Sequence, residues 1–102
     1  MAEKLKPHHH LESIKTAFSA GKGHFTGLAT RDALSLGCGT QQITAIIQTM
    51  DKGQFYKSMT SNYDPKIWQD VYHVPHAAGT LYVKFTDNGS VTEFTLLSFK
   101  EK

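Results

Sequence analysis

Leu81-Tyr82-Val83-Lys84-Phe85-Thr86-Asp87-Asn88-Gly89-Ser90-Val91-Thr92-Glu93-Phe94-Thr95-Leu96-Leu97-Ser98-Phe99 is the stretch from which the fold is read. Two alternating runs, residues 78–86 and 91–99, flank Asp87-Asn88-Gly89-Ser90. Asn-Gly between alternating runs is the signature of a two-residue type I′ hairpin turn. The pattern therefore predicts paired strands with Lys84 opposite Glu93 and Tyr82 opposite Thr95. Leu81, Val83 and Phe85 then share a core face with Phe94 and Leu96, while Tyr82 and Lys84 stand on the open face. The adjacent pair Leu96-Leu97 breaks strict alternation. A one-residue bulge at residues 96–98 is expected, because it returns Leu97 and Phe99 to the core and sets Ser98 and Lys100 beside Tyr82.

Two more strands precede the hairpin. Phe55-Tyr56-Lys57-Ser58-Met59-Thr60 and Ile67-Trp68-Gln69-Asp70-Val71-Tyr72 are rich in aromatic and β-branched residues. Residues 61–66, with Asn62, Asp64 and Pro65, carry turn chemistry. Upstream the period is helical. Leu11, Ile14, Ala17 and Phe18 form one stripe, with Gly21 placed to end the helix. Thr30 is expected to N-cap a short helix through Leu36, with Asp32 near its positive end and Gly37 closing it. Thr40 is expected to cap a third, whose apolar face is Ile43, Ile46, Ile47 and Met50. Residues 21–27 read as a glycine-punctuated connector without the spacing of a phosphate-binding loop, and residues 1–10 as a polar lead-in. Trp68 reads as core rather than as a base-stacking platform. The expectation is one α+β domain over residues 1–102, with an antiparallel sheet of about four strands packed against two or three N-terminal helices.

Composition narrows the function classes. The chain has 102 residues, 11 Lys+Arg against 9 Asp+Glu, and 39% hydrophobic content, which suits a small globular domain. It is only mildly basic, so any nucleic-acid binding must come from local clustering of charge. Arg31 is the sole arginine, which leaves little bidentate base reading by guanidinium. One cysteine, Cys38, excludes an internal disulfide and reads as a small buried hydrophobe. No metal site or cofactor is expected: His8-His9-His10 are adjacent, and neighbouring side chains cannot all face one ion. No segment reads as a signal peptide or membrane span, so no membrane association and a cytoplasmic location are expected.

The open face gathers Lys57, Gln69, Tyr82, Lys84 and Lys100, with His73 and His76 near it. Carboxylate pairs and nucleophile elbows are missing from the sequence, which argues against glycoside hydrolysis and acyl transfer. A lysine-rich, carboxylate-poor face suits an anionic substrate. RNA carries its own nucleophile, the 2′-hydroxyl, so cleaving it requires positioning, proton transfer and stabilisation of a crowded phosphate. Lys57, Tyr82 and Lys100 can supply these without metal, Gln69 can position, and neighbouring cations are expected to favour tyrosinate. Each residue also has a plainer reading. Lys84 can be neutralised by Glu93 and Tyr82 can be a packing residue. His73 and His76 are separated by Pro75, which suggests a surface loop. A non-catalytic RNA-binding module and a protein-interaction domain that pairs through a sheet edge both remain open.

FYKSMT at residues 55–60, IWQDVY at 67–72, LYVK at 81–84 and the ending SFKEK at 98–102 closely resemble the MqsR toxins of bacterial toxin–antitoxin pairs. The Pro7-His8 and Leu11 pattern and the Ala20-Gly21 helix end keep the same register. The resemblance implies a RelE-like fold and a ribosome-independent mRNA endoribonuclease favouring GCU-type sites. It also implies a cognate antitoxin with a zinc-binding N-terminal domain and a DNA-binding C-terminal domain. The family's active Lys, Gln, Tyr and C-terminal Lys fall on Lys57, Gln69, Tyr82 and Lys100. The pattern departs at His73-Val74-Pro75-His76, where arginines are replaced by groups that hold phosphate less strongly and in a pH-dependent way.

Overall fold

The computed structural model describes residues 2–77 and 79–102, so Ala78, at the start of the expected 78–86 strand, lies outside the described residues, as does Met1. In chain order the elements are β1 (Glu3–Lys4), α1 (Leu11–Ser19), β2 (Gly23–Phe25), α2 (Gly27–Ser35) and α3 (Thr40–Thr49). A 3-10 turn (Lys52–Gln54), β3 (Phe55–Thr60), β4 (Trp68–His76), β5 (Gly79–Ser90) and β6 (Glu93–Glu101) follow. The strands form one sheet in the order β1-β3-β4-β5-β6-β2, and the helices cover one face.

The fold is α+β as expected, but among the described residues the sheet has six strands and is mixed. The four expected strands form its centre, all antiparallel. Two short edge strands come from segments read as unstructured. Glu3 and Lys4 pair with Met59 and Ser58, and Gly23–Phe25 runs parallel to β6. Close packing accounts for the glycine at 23: a Cβ there would lie 2.1 Å from Phe18 Cδ1, so only a bare backbone fits beside that ring.

Helix α1 ends as its sequence indicates. Gly21 takes φ +77°, and the Lys22 amide donates to the Ala17 carbonyl at 2.8 Å, a Schellman closure. Helix α2 is capped four residues earlier than expected, at Thr26 rather than Thr30. Thr26 Oγ1 accepts from the Ala29 amide, while Thr30 is internal and bonds back to the Thr26 carbonyl. Asp32 therefore lies in the second half of the helix rather than at its positive end. Helix α3 is capped by Gly39 with Thr40 as its first residue, and Gln42 Oε1 accepts from the Gly39 amide. Ile14, Ile43, Ile47, Tyr72, Val83, Phe85, Leu96 and Phe99 form the core centre, each 1% exposed or less. Burying each such side chain contributes about 1.5–3 kcal/mol. Cys38 is buried among them.

The hairpin register differs from the Asn-Gly expectation. Val91 and Thr92 make the turn between Ser90 and Glu93, and Asn88-Gly89 lie in an irregularity of β5, with Gly89 at φ +80°. Tyr82 therefore pairs with Lys100 instead of Thr95, and Lys84 pairs with Ser98 instead of Glu93. Both registers leave the alternation of β5 intact, and the one adopted buries Phe99 as well as Phe94 and Leu96. The expected bulge is present. Lys84 pairs with Ser98 and Phe85 with Leu96, so Phe99 returns to the core as expected, but Leu97 does not: it is the extra residue and only half-buried. β4 also runs further than expected, through Pro75 to His76. Its pairing with β3 ends at Tyr72, so Pro75 sits where that flank needs no amide donor.

The N-terminal lead-in is ordered by Asp70. This carboxylate is fully buried and accepts from the amides of His8 (3.1 Å) and His9 (2.9 Å) and from Ser58 Oγ (2.6 Å). His8 stacks on Trp68 with centroids 5.5 Å apart, and Lys4 Nζ lies 4.2 Å from the centroid of the same indole. Trp68 is thus a half-buried side chain on the helix side, covered by residues read as a loose tail.

Candidate active site on the open sheet face

Strand alternation and register place the candidate residues on the uncovered face. One rung runs Lys57, Val71, Lys84, Ser98 across β3 to β6, and the next runs His73, Tyr82, Lys100. Gln69 lies two residues from Val71 on β4, on the other side of the first rung from Tyr82, and pairs with Met59. At about 4.8 Å per strand spacing and about 3.4 Å per residue along a strand, three strands and two residues put the backbones of residues 57 and 100 roughly 16 Å apart, with Tyr82 on a strand between them. Lys57 and Lys100 thus flank the Tyr82 and Lys84 strand on either side of the open face. Val71, fully buried, separates Lys57 from Lys84.

Lys100 Nζ lies 5.5 Å from the centroid of the Tyr82 ring. Lys57 Nζ is held by Glu3 Oε2 at 2.7 Å and lies 5.5 Å from the Tyr56 ring. The sequence left Glu3 unassigned. It reaches Lys57 because β1 adds to the edge of β3, and the hydrogen bond that its carboxylate accepts raises the Lys57 pKa. Tyr82 is pulled in two directions. Burial raises its phenol, and the Lys57 charge opposes this without overcoming it. The expected tyrosinate is therefore disfavoured, and the phenol favours its protonated form. Lys84 is the lysine whose pKa is lowered, first by burial and then by the charge of Lys100. Among the described residues no carboxylate lies within salt-bridge range of Lys84. Glu93, its expected partner, bonds His24 Nε2 at 3.0 Å.

A bulge in β3 between Phe55 and Lys57 turns Tyr56 onto this face too. Its ring stacks on His73 with centroids 4.2 Å apart and planes 21° apart, and His73 lies 6.2 Å from Tyr82. Burial, followed by the Lys102 charge, lowers the His73 pKa, so this imidazole favours its neutral form. His76 is not brought to the group. It shares the parity of Tyr72 and Val74 on the helix side and lines a separate cavity with Leu36 and Leu81. Sequence reasoning missed Tyr56 because plain alternation sets it opposite Lys57. Its adjacency to a second aromatic-rich strand was the available signal.

The described residues contain no group of three or more His, Cys, Asp or Glu side chains arranged to hold a metal ion. No helix among them is long and apolar enough to cross a membrane. What the face can do chemically is attract an anionic backbone, donate a proton from a neutral phenol and neutralise charge with amines on either side.

Comparison with known proteins agrees over nearly the whole chain. The family model described as motility quorum-sensing regulator, toxin of MqsA, matches residues 6–101. The mRNA interferase toxin MqsR of Escherichia coli (strain K12) is 36% identical over 100 residues, which cover 98% of this chain and 99% of that protein.

Proposed function

This chain belongs to the MqsR toxin family, and from that membership we propose that it is the toxin of a toxin–antitoxin pair, an endoribonuclease that cuts mRNA and so arrests translation and growth. The observation that carries the reading is the cross-strand pair of Tyr82 and Lys100, with Lys57 close enough for its charge to act on the same phenol.

In the proposed reaction the RNA 2′-hydroxyl attacks its own phosphate, and the 5′-oxygen leaves. Tyr82, kept neutral by burial, gives its proton to that leaving oxygen. Lys57 and Lys100 compensate the charge gathering on the phosphate oxygens, with Lys57 exchanging Glu3 for phosphate as substrate enters. Gln69 positions the nucleotide beside the scissile bond through its amide. Lys84 contacts RNA and is the amine best suited to take the 2′-hydroxyl proton, because its surroundings favour the neutral form more than those of Lys57. His73 supports the Tyr56 ring beside the cleavage point, where a base can stack. The product is a 2′,3′-cyclic phosphate or its hydrolysed form.

Cleavage is proposed to need neither metal nor ribosome and to favour GCU-type sites in the cytoplasm. The proposed partner is a cognate antitoxin with a zinc-binding N-terminal domain and a DNA-binding C-terminal domain. The purified chain with a defined RNA should still cut in excess chelator, and Lys57→Ala should keep the fold and abolish cutting. Cutting that stops on chelation, or survives Lys57→Ala, refutes the mechanism. Expression in bacteria should stop growth, and co-expression of the antitoxin should restore it.

A further inference from the structure

On the helix side of the sheet, away from the lysine face, the N-terminal segment, the 3-10 turn and the strands β3 and β4 enclose a cleft of about 500 Å³. Lys6 and His10 approach it from the N-terminal segment and Lys52 from the turn, and no carboxylate lines it. Pro7, Leu11, Phe55 and the ring of Tyr72 make its apolar walls. The nearest buried acid, Asp70, is occupied by the His8 and His9 amides and the Ser58 hydroxyl.

The unexplained group here is the Tyr72 phenol. The residue is only 1% exposed, yet its hydroxyl makes no hydrogen bond among the described residues. No fully occluded side-chain oxygen there lacks a partner, so the phenolic oxygen keeps its residual contact through the cleft that Tyr72 lines. Burial, and secondarily the charge of Asp70, raise its pKa well above the usual tyrosine value. It therefore remains a neutral donor. Facing the cleft without a protein partner, it can donate to a ligand oxygen in place of water.

We propose that this cleft binds a 5′-phosphorylated nucleotide, with the phosphate between Lys6 and Lys52, the base against Phe55 and Leu11, and the Tyr72 hydroxyl donating to a ligand oxygen. Two lysines lining one cleft from separate segments, with no acid on the walls, favour an anion. Apolar and aromatic walls suit the flat face of a nucleobase. The nucleotide can come free from solution or as the 5′-phosphorylated end of an RNA.

The test is an amide NMR titration of the full chain with 5′-AMP, adenosine, and a 5′-phosphorylated RNA trinucleotide whose 2′-positions are methylated against cleavage. Shifts at Leu11, Lys52 and Tyr72 with 5′-AMP, and not with adenosine at equal concentration, support the site and identify a free nucleotide. The same shifts with the trinucleotide alone support it and identify an RNA end. Lys52→Ala, at an exposed position, should weaken binding about tenfold, and Tyr72→Phe, which keeps the ring, should weaken it severalfold. Shifts confined to the face of Lys57, Tyr82 and Lys100, no shifts at all, or unchanged affinity in Lys52→Ala would overturn the proposal. None of these readouts depends on cleavage, so the site stands or falls apart from the proposed activity.

Discussion

Replacing Tyr82 by Phe separates the phenol's chemistry from the ring's packing. The ring would keep its place between His73, 6.2 Å away, and the Lys100 ammonium, 5.5 Å from its centroid. The hydroxyl has no hydrogen-bond partner among the described residues, so folding loses little, on the order of 0.5 kcal/mol or less. For a domain of this size that shifts Tm by no more than roughly 2–4 °C. Catalysis loses the proton donor. A positioned general acid is worth about 10²–10⁴ in rate, or about 2.7–5.5 kcal/mol of barrier. The loss should appear in kcat, with KM nearly unchanged, because the substituted group acts on the leaving oxygen rather than on uniform binding. The assay is single-turnover cleavage of a labelled RNA, with a thermal melt of the same sample. The pH dependence provides a second check. Burial holds the phenol above the ordinary value of 10.0, so the parent should keep its rate up to at least that pH and lose it beyond as the donor ionises. Tyr82→Phe should lose the part of that limb owed to the phenol and keep the part owed to the lysine charges. A variant with an unchanged melt that cuts within threefold of the parent would refute the proton-donor role and leave Tyr82 as a packing residue.

Asp70→Ala should cost about 3–5 kcal/mol, because the amides of His8 and His9 and the Ser58 hydroxyl all lose a buried charged acceptor; the urea midpoint measures it. Gly23→Ala should destabilise by about 1–3 kcal/mol, since the new methyl meets the Phe18 ring, and hydrogen exchange should show β2 released from β6 first. Tyr72 makes stability fall at alkaline pH. Its folded pKa lies above the unfolded value of 10.0, so the native state holds the proton more tightly, and stability present below pH 10.0 is lost as pH rises beyond it. Tyr72→Phe should flatten the alkaline arm of a chemical-denaturation series, and an unchanged arm would contradict that origin.

Much of this was legible in local pattern. Alternation along residues 81–85 and 94–96 assigned their core and open faces, and the doublet Leu96-Leu97 signalled the bulge that brings Lys100 round to Tyr82. The stripe of α1 and its closing glycine were equally plain. These features depend on side-chain period and backbone conformation, which neighbours in sequence dictate. The hairpin register was not legible: Asn-Gly is a strong local turn signal, yet cross-strand burial outweighed it and shifted the partner of Tyr82 from Thr95 to Lys100. The Glu3–Lys57 ion pair joins residues 54 positions apart, and Asp70 takes amides from 61 and 62 positions away. Edge strands β1 and β2 are too short for a period to declare itself and form because the finished sheet offers unpaired backbone. The environments of Tyr82 and Lys84 likewise follow from burial in the assembled sheet. Desolvation of a group depends on what surrounds it in space, and no run of adjacent residues encodes that.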